Sequence, residues 1–269
     1  MKKIAVLAEM LMLSLGAGCH ERIASNRAGA SVAPEEVPML REAEDLGRRI
    51  RAHDQYAMRA TSLMYSHGVD LVEMGTRGWV TESRPDGCAV TFIGGDPELW
   101  RTVCVVTFTE GEDPNLILVD KDLSETQAAM FSARQLVLGT VQTPCSGAYN
   151  TVVFPRDGQP GWLAYALAAS SDPNLLLVGG HYRATVSADG QTVLEHRALT
   201  KDCLVLRNSG SAGPDHDEVA HTVPHALDVR PTEVHVFLNL VCGKPVNVVT
   251  ADRRLWRIEE GRISLLVQP

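Results

Sequence analysis

Aromatic side chains are scarce: five Phe, five Tyr and four Trp make up 5% of the 269 residues, which argues against a sugar-binding surface built on stacked rings. The chain has no Cys-x-x-Cys pair, no phosphate-cradling Gly-x-x-x-x-Gly-Lys-[Ser/Thr] loop, no Gly-x-Gly-x-x-Gly after a strand and no kinase signature set. Each absence withdraws the specific ground for naming the corresponding enzyme class. Basic runs with interleaved aromatics are also missing, and 33 acidic against 25 basic residues give a formal charge of −8. Phosphate-backbone binding has no electrostatic source, so nucleic acid is not an expected partner. Long apolar runs are missing too. The stretch from Ile4 to Leu15 would reach only about 18 Å as a helix, against a hydrocarbon core of roughly 30 Å.

What that stretch does have is the order of parts of an export signal. Lys2 and Lys3 form a positive n-region, Ile4 to Leu15 an apolar h-region, and Gly16-Ala17-Gly18 the small residues a signal peptidase accommodates. Leu15-Gly16-Ala17-Gly18-Cys19 resembles the lipobox of bacterial lipoproteins, with Gly16 where that family usually has a larger aliphatic residue and Glu9 as a charge within the h-region. The resemblance covers the signal only. It implies that Cys19 is acylated, with palmitate among the lipids, and becomes the first mature residue. It also implies attachment to the bacterial envelope. His20, in place of the aspartate that commonly retains such proteins at the inner membrane, implies the periplasmic face of the outer membrane in a Gram-negative cell. Loss of residues 1–18 removes Lys2, Lys3 and Glu9 and leaves 23 basic against 32 acidic groups, a formal charge of −9.

Export exposes the cysteines to oxidising conditions, so disulfides are the default expectation. Beyond Cys19 there are five: Cys88, Cys104, Cys145, Cys203 and Cys242. Cys88 and Cys104 lie on two strand-like runs joined by Gly-Gly-Asp-Pro-Glu-Leu, and antiparallel pairing about that turn predicts a bridge between them. Cys145 and Cys203 are the second predicted pair, leaving Cys242 buried and inert.

Residues 19–34 are small and polar, as suits a tether. Met39, Ala43, Leu46, Ile50, His53, Ala57, Ala60 and Met64 then recur at alternating four and three, predicting a helix from about Glu36 to Ser66 that packs on its own domain. A dimer through the same stripe is the other use of such a pattern. Period-two runs at 70–74, 79–82, 88–93, 103–109 and 116–119, separated by Pro, Gly, Asp and Asn clusters, predict hairpins. Ser124 and Gln127 form a capping box for a second helix near 124–138, with Ala128, Phe131, Gln135 and Leu138 on its inner face. Beyond Ala148 the pattern reads as strands throughout, including Thr232–Leu240. The expected class is α+β with predominantly antiparallel β-meanders. Residues 35–142 and 143–269 form either two parts or one continuous domain.

Three stretches could carry chemistry. Asp215 to His225 with His235 concentrates histidines and carboxylates, ligand types of zinc or another divalent metal, though Pro224 excludes a helical pairing of His221 with His225. If residues 218–223 and 232–240 are adjacent strands, His221 and His235 share a face. Gly179-Gly180-His181-Tyr182-Arg183 reads as a strand bend whose His181 and Arg183 could line a cleft, or as a plain bulge. Ser146 lacks the Gly-x-Ser-x-Gly surroundings of a nucleophile elbow. The leading expectation is a non-catalytic binding or interaction module without a cofactor, attached to the membrane through Cys19 and recognising an envelope protein or peptide. The alternative is a metal-dependent hydrolase with His221, His225 and His235 as ligands, Asp217 or Glu218 as base, and His181 or Arg183 at the cleft.

Overall fold

Thirty consecutive residues, α1 (Val37–Ser66), form the longest element of a computed structural model that describes residues 31–208 and 220–268. Residues 1–30, Cys19 among them, and the stretch with Asp217 and Glu218 lie outside the described residues. Pro38 sits in the first turn of α1, where its missing N–H costs nothing, and Gly68 takes the left-handed conformation just past its end. The buried stripe runs through Leu40, Ala43, Leu46, Gly47, Ile50, Ala57, Ala60 and Met64. It is covered within the chain, as the helical period predicts, while Met39 stays exposed.

Four strands, β1 (Thr76–Arg84), β2 (Gly87–Asp96), β3 (Leu99–Thr109) and β4 (Asn115–Asp122), form an antiparallel meander in that order. The C-terminal half of α1 lies on one face, where Ala60 and Met64 meet Val90, Phe92, Cys104, Val106 and Phe108. The other face meets α2 (Glu125–Gly139) through Val80 and Ile93. The Ser124–Gln127 capping box is present. The buried side of α2 is Ala129, Met130, Phe131, Ala133, Arg134 and Val137, with Ala128 and Gln135 exposed. This corrects the predicted inner face, because α2 is wedged between two sheets rather than resting on one.

The second sheet takes β5 (Ala148–Pro155), β6 (Trp162–Ala169), β8 (Tyr182–Val186) and β9 (Val193–Ala198), in the order β5-β6-β8-β9. Two short strands, β7 (Leu175–Leu177) and β10 (Val205–Arg207), pair with each other. The third sheet is β11 (His221–His225), β12 (Val246–Thr250), β13 (Leu255–Glu259) and β14 (Arg262–Val267). Its pairs are antiparallel except β11–β12, which is parallel and bridged by α3 (Glu233–Cys242). The class is therefore α+β dominated by antiparallel meanders. Leu46 and Ile50 of α1, Phe154 and Tyr165 of the second sheet, Val236 of α3 and Trp256 of the third share one core. Val80 and Ile93 share another with α2, β5, β6 and β8, so both cores cross the boundary near residue 142. Among the described residues no helix is long and apolar enough to cross a membrane.

Three further expectations are corrected. Residues 70–74 form turns rather than a strand, with the Asp70 carboxylate accepting the Val72 N–H at 2.7 Å. Thr232–Leu240 is helical: Thr232 caps α3 and Gly243 ends it with φ +66°. Val234, His235, Val236, Phe237, Leu238 and Asn239 are all buried, so apolar alternation could not report the backbone. Cys88 and Cys104 are free, buried thiols. The register pairs Cys88 with Phe108 and Cys104 with Phe92, an offset of four residues or roughly 13 Å along the strand, beyond disulfide reach.

Candidate functional site

Cys145 and Cys203 are bridged, with Cα atoms 5.2 Å apart, and this bond anchors the loop before β5 to the strap before β10. The glycine pair beside it exists for close approach. A Cβ on Gly179 would lie 1.8 Å from the Asp202 carbonyl, and one on Gly180 (φ +83°) 2.5 Å from Cys145 Cβ. Immediately after the pair, His181 enters the interior. Its Nδ1 accepts the Ala168 N–H at 3.2 Å, so Nε2–H donates to the Leu177 carbonyl at 2.9 Å. Burial lowers its pKa to about 4, and the ring is neutral and fully engaged.

His225 at the end of β11 and His235 in the first turn of α3 meet edge to face, ring centroids 4.5 Å apart. The Thr232 backbone N–H bonds His235 Nδ1 at 3.1 Å. Burial first, then the nearby His225 and His181, lower His235 to about 3. His225 Nε2 donates to Asp228 Oδ2 at 2.9 Å, and Arg197 from β9 reaches the same oxygen at 2.5 Å. Burial also holds His225 below the ordinary imidazole value, against the pull of Asp228. Burial raises Asp228, but its bonds from Arg197 and His225 outweigh that and leave it below the ordinary carboxylate range. Beside this group, Glu233 Oε1 accepts from Tyr165 OH at 3.2 Å and Arg183 at 2.8 Å.

Three sequence candidates, His181, His225 and His235, thus gather in one place, with Arg183 in the adjoining ion pair. His221 does not join them. It lies at the opposite end of β11, beside Lys244 and paired with Val246, whereas His225 pairs with Thr250. The predicted ligand set His221, His225, His235 is therefore not assembled: His235 stands on a helix, and the strand beside β11 is β12. The three gathered residues are 1–2% exposed, and both His181 nitrogens, His225 Nε2 and His235 Nδ1 bond the protein's own backbone or carboxylate. The bonds that join the second sheet to the third around them are Arg197 to Asp228 and Arg183 and Tyr165 to Glu233, and burial keeps the histidines from solvent. Ser146 Oγ donates to the Ala169 carbonyl at the end of β6 and accepts the Ala148 N–H at 3.1 Å, a structural arrangement with no base beside the hydroxyl among these partners.

Arg197 also separates two surface clefts. One, of about 290 Å³, lies against α1 and has Arg183, Arg197 and Arg230 matched by Glu42, Asp228 and Glu233. The other, of about 400 Å³, lies over the disulfide and includes Gln142, Tyr182, His196, Arg197, Thr200 and Lys201. Sequence reasoning missed Arg197, Asp228 and Lys201. The His-x-x-Asp spacing of 225 and 228 was the one available signal.

An open feature of another kind is a sheet edge, of which β4 is one among the terminal strands of the three larger sheets. β4 pairs with β3 alone, and its far side is unpaired among the described residues. Ile117 and Leu118, on opposite faces, are 46% and 55% exposed. Asp120 and Asp122 bond Arg101 and close the C-terminal end of the strand with charge, whereas Leu116 to Val119 carries no charge at all. No family model matches the chain, and no curated protein or solved structure is similar to it.

Proposed function

We propose that this chain is an exported envelope protein, lipid-anchored through Cys19, that acts as a non-catalytic binding module and takes an extended segment of a protein partner along the open edge of β4. The leader and the lipobox-like residues support the address. The carrying observation for binding is the uncharged, outward-facing Leu116–Val119 edge of an otherwise well-packed sheet. An added strand satisfies main-chain groups that β3 does not reach, and Ile117 and Leu118 supply apolar contacts on its two faces. A tethered protein facing the periplasm meets such segments at high local concentration.

The test is site-specific photo-crosslinking in intact cells fed a palmitate analogue. A crosslinking amino acid at Ile117 should give a discrete adduct carrying the lipid label, and Cys19→Ser should remove the label. Leu118→Lys, which puts a charge on the exposed edge, should abolish the adduct. The same crosslinker at Val267, exposed on β14, should not give it. An adduct at Ile117 that survives Leu118→Lys, or one that Val267 gives equally, would reject the β4 edge as the binding surface.

A further inference from the structure

The clefts described on this protein differ in charge balance. Against α1, the cleft of about 290 Å³ has three arginines matched by three carboxylates. A neighbouring one of about 630 Å³ matches Arg41, Arg49, Arg156 and Arg183 with Glu42, Asp45, Asp157 and Glu195. A fourth, around Asn239 and Lys244, has Glu259 and Glu260 on its wall. Among these clefts of the described residues, the one over the disulfide has basic residues, Arg197 and Lys201, and no carboxylate on its own wall, with Asp228 holding Arg197 from outside it. In a chain whose acidic residues outnumber its basic ones by eight, that local inversion defines a positively charged recess on a negative protein.

Its hydrogen-bonding inventory points the same way. Thr200 Oγ1 accepts the N–H groups of Gly180 at 2.9 Å and His181 at 3.4 Å, which leaves the hydroxyl proton free to donate outward. Tyr182, by contrast, is spent: its OH accepts from the Thr143 N–H and donates to the Thr143 carbonyl. Lys201 is exposed, and Arg197 keeps donors beyond the one on Asp228. The floor is held by the Cys145–Cys203 bond and the Gly179–Gly180 backbone, so the donors need little reorganisation to meet a ligand. We propose that this cleft binds a small oxyanion, a phosphate or carboxylate group, held by Lys201, Arg197 and the Thr200 hydroxyl. About 400 Å³ accommodates a compact ligand of that kind. The site is remote in sequence from β4 and does not depend on the edge reading.

The experiment is a low-salt titration of the full protein in detergent with inorganic phosphate and, separately, citrate, followed by backbone amide NMR shifts. Saturable shifts at Gly180, His181, Thr200 and Gln142 are expected. Lys201→Glu should weaken binding about tenfold or more and Lys201→Gln by less, as loss or reversal of a charge-assisted contact requires. The tighter of the two probes tells a phosphoryl from a carboxylate preference. Lys201 is exposed, so both variants fold. Shifts spread evenly over the surface, no saturation with either anion, or unchanged affinity in Lys201→Glu would overturn the proposal.

Discussion

His181, His225 and His235 show how a cluster that resembles catalytic machinery in sequence becomes structural once its nitrogens are traced. Each ring has at least one nitrogen hydrogen-bonded to the protein, and burial costs the charged form so much that the neutral form is kept. His181 and His53 fall to about 4 and His235 to about 3, against about 6.5 in an unfolded chain. The unfolded state therefore binds protons first. Stability is full above about pH 6.5, is lost as pH falls below that value, and the loss levels off near the folded pKa, on the order of 2 kcal/mol per histidine by pH 5. Asp54 works in the opposite sense within the carboxylate range, because burial raises its pKa. Urea unfolding at neutral pH and near pH 5 should show a large drop, and His181→Gln should start lower but lose less on acidification. An equal drop in that variant would mean that His181 is not held neutral.

Among the elements, α1 is fastened to the third sheet by two carboxylates. Glu36 receives Arg254 through both oxygens, at 2.8 and 2.9 Å. Glu44 is buried and accepts the Ile263 N–H at 2.8 Å with Oε1, while Arg262 reaches Oε2 at 3.1 Å. Glu44→Ala should cost about 1–3 kcal/mol, since it strands a backbone donor. Glu44→Gln keeps an acceptor for Ile263 and should cost less, and equal losses in urea midpoint would show that the backbone bond contributes nothing. The stripe of α1 and its end near Ser66 were legible because one face is buried and the other wet, which is the condition under which a period speaks. The hairpins of the first sheet, such as that at Pro85-Asp86-Gly87, were legible from turn chemistry. By contrast, α3 was hidden because burial on all sides erases its period, and only Thr232 and Gly243 marked it. Four-residue register offsets of the kind that separates Cys88 from Cys104 are set by turn length and a bulge at Phe92/Ile93, which composition does not report. The partners of the histidines, Arg197 and Asp228, come from distant strands and loops, so the gathered cluster was legible only as a local excess of histidine.

Over the whole molecule, the two halves of the sequence share their cores, and the disulfide adds a covalent tie within the second half. Its loop spans 58 residues, for which the chain-entropy relation gives roughly 4 kcal/mol. Because the cores run from α1 to Trp256 and from β1 to β8, losing that tie should lower the single unfolding transition and not split it into two. The Cys145→Ser, Cys203→Ser double variant is therefore expected to unfold in one step at lower temperature, with the cleft over the disulfide loosened most. Two separate transitions would mean that the shared cores do not couple the halves. Thiol counting on the denatured, unreduced protein checks the premise. Cys88, Cys104 and Cys242 should all react, whereas a single reactive thiol beyond Cys19 would mean that Cys88 and Cys104 are bridged and that the β2–β3 register is shifted. Burial raises Cys88 to about 12 and Cys104 to about 11, so in the folded protein neither should react at neutral pH. The contrast between native and denatured counts thus reads both the oxidation state and the packing of the first sheet beneath α1.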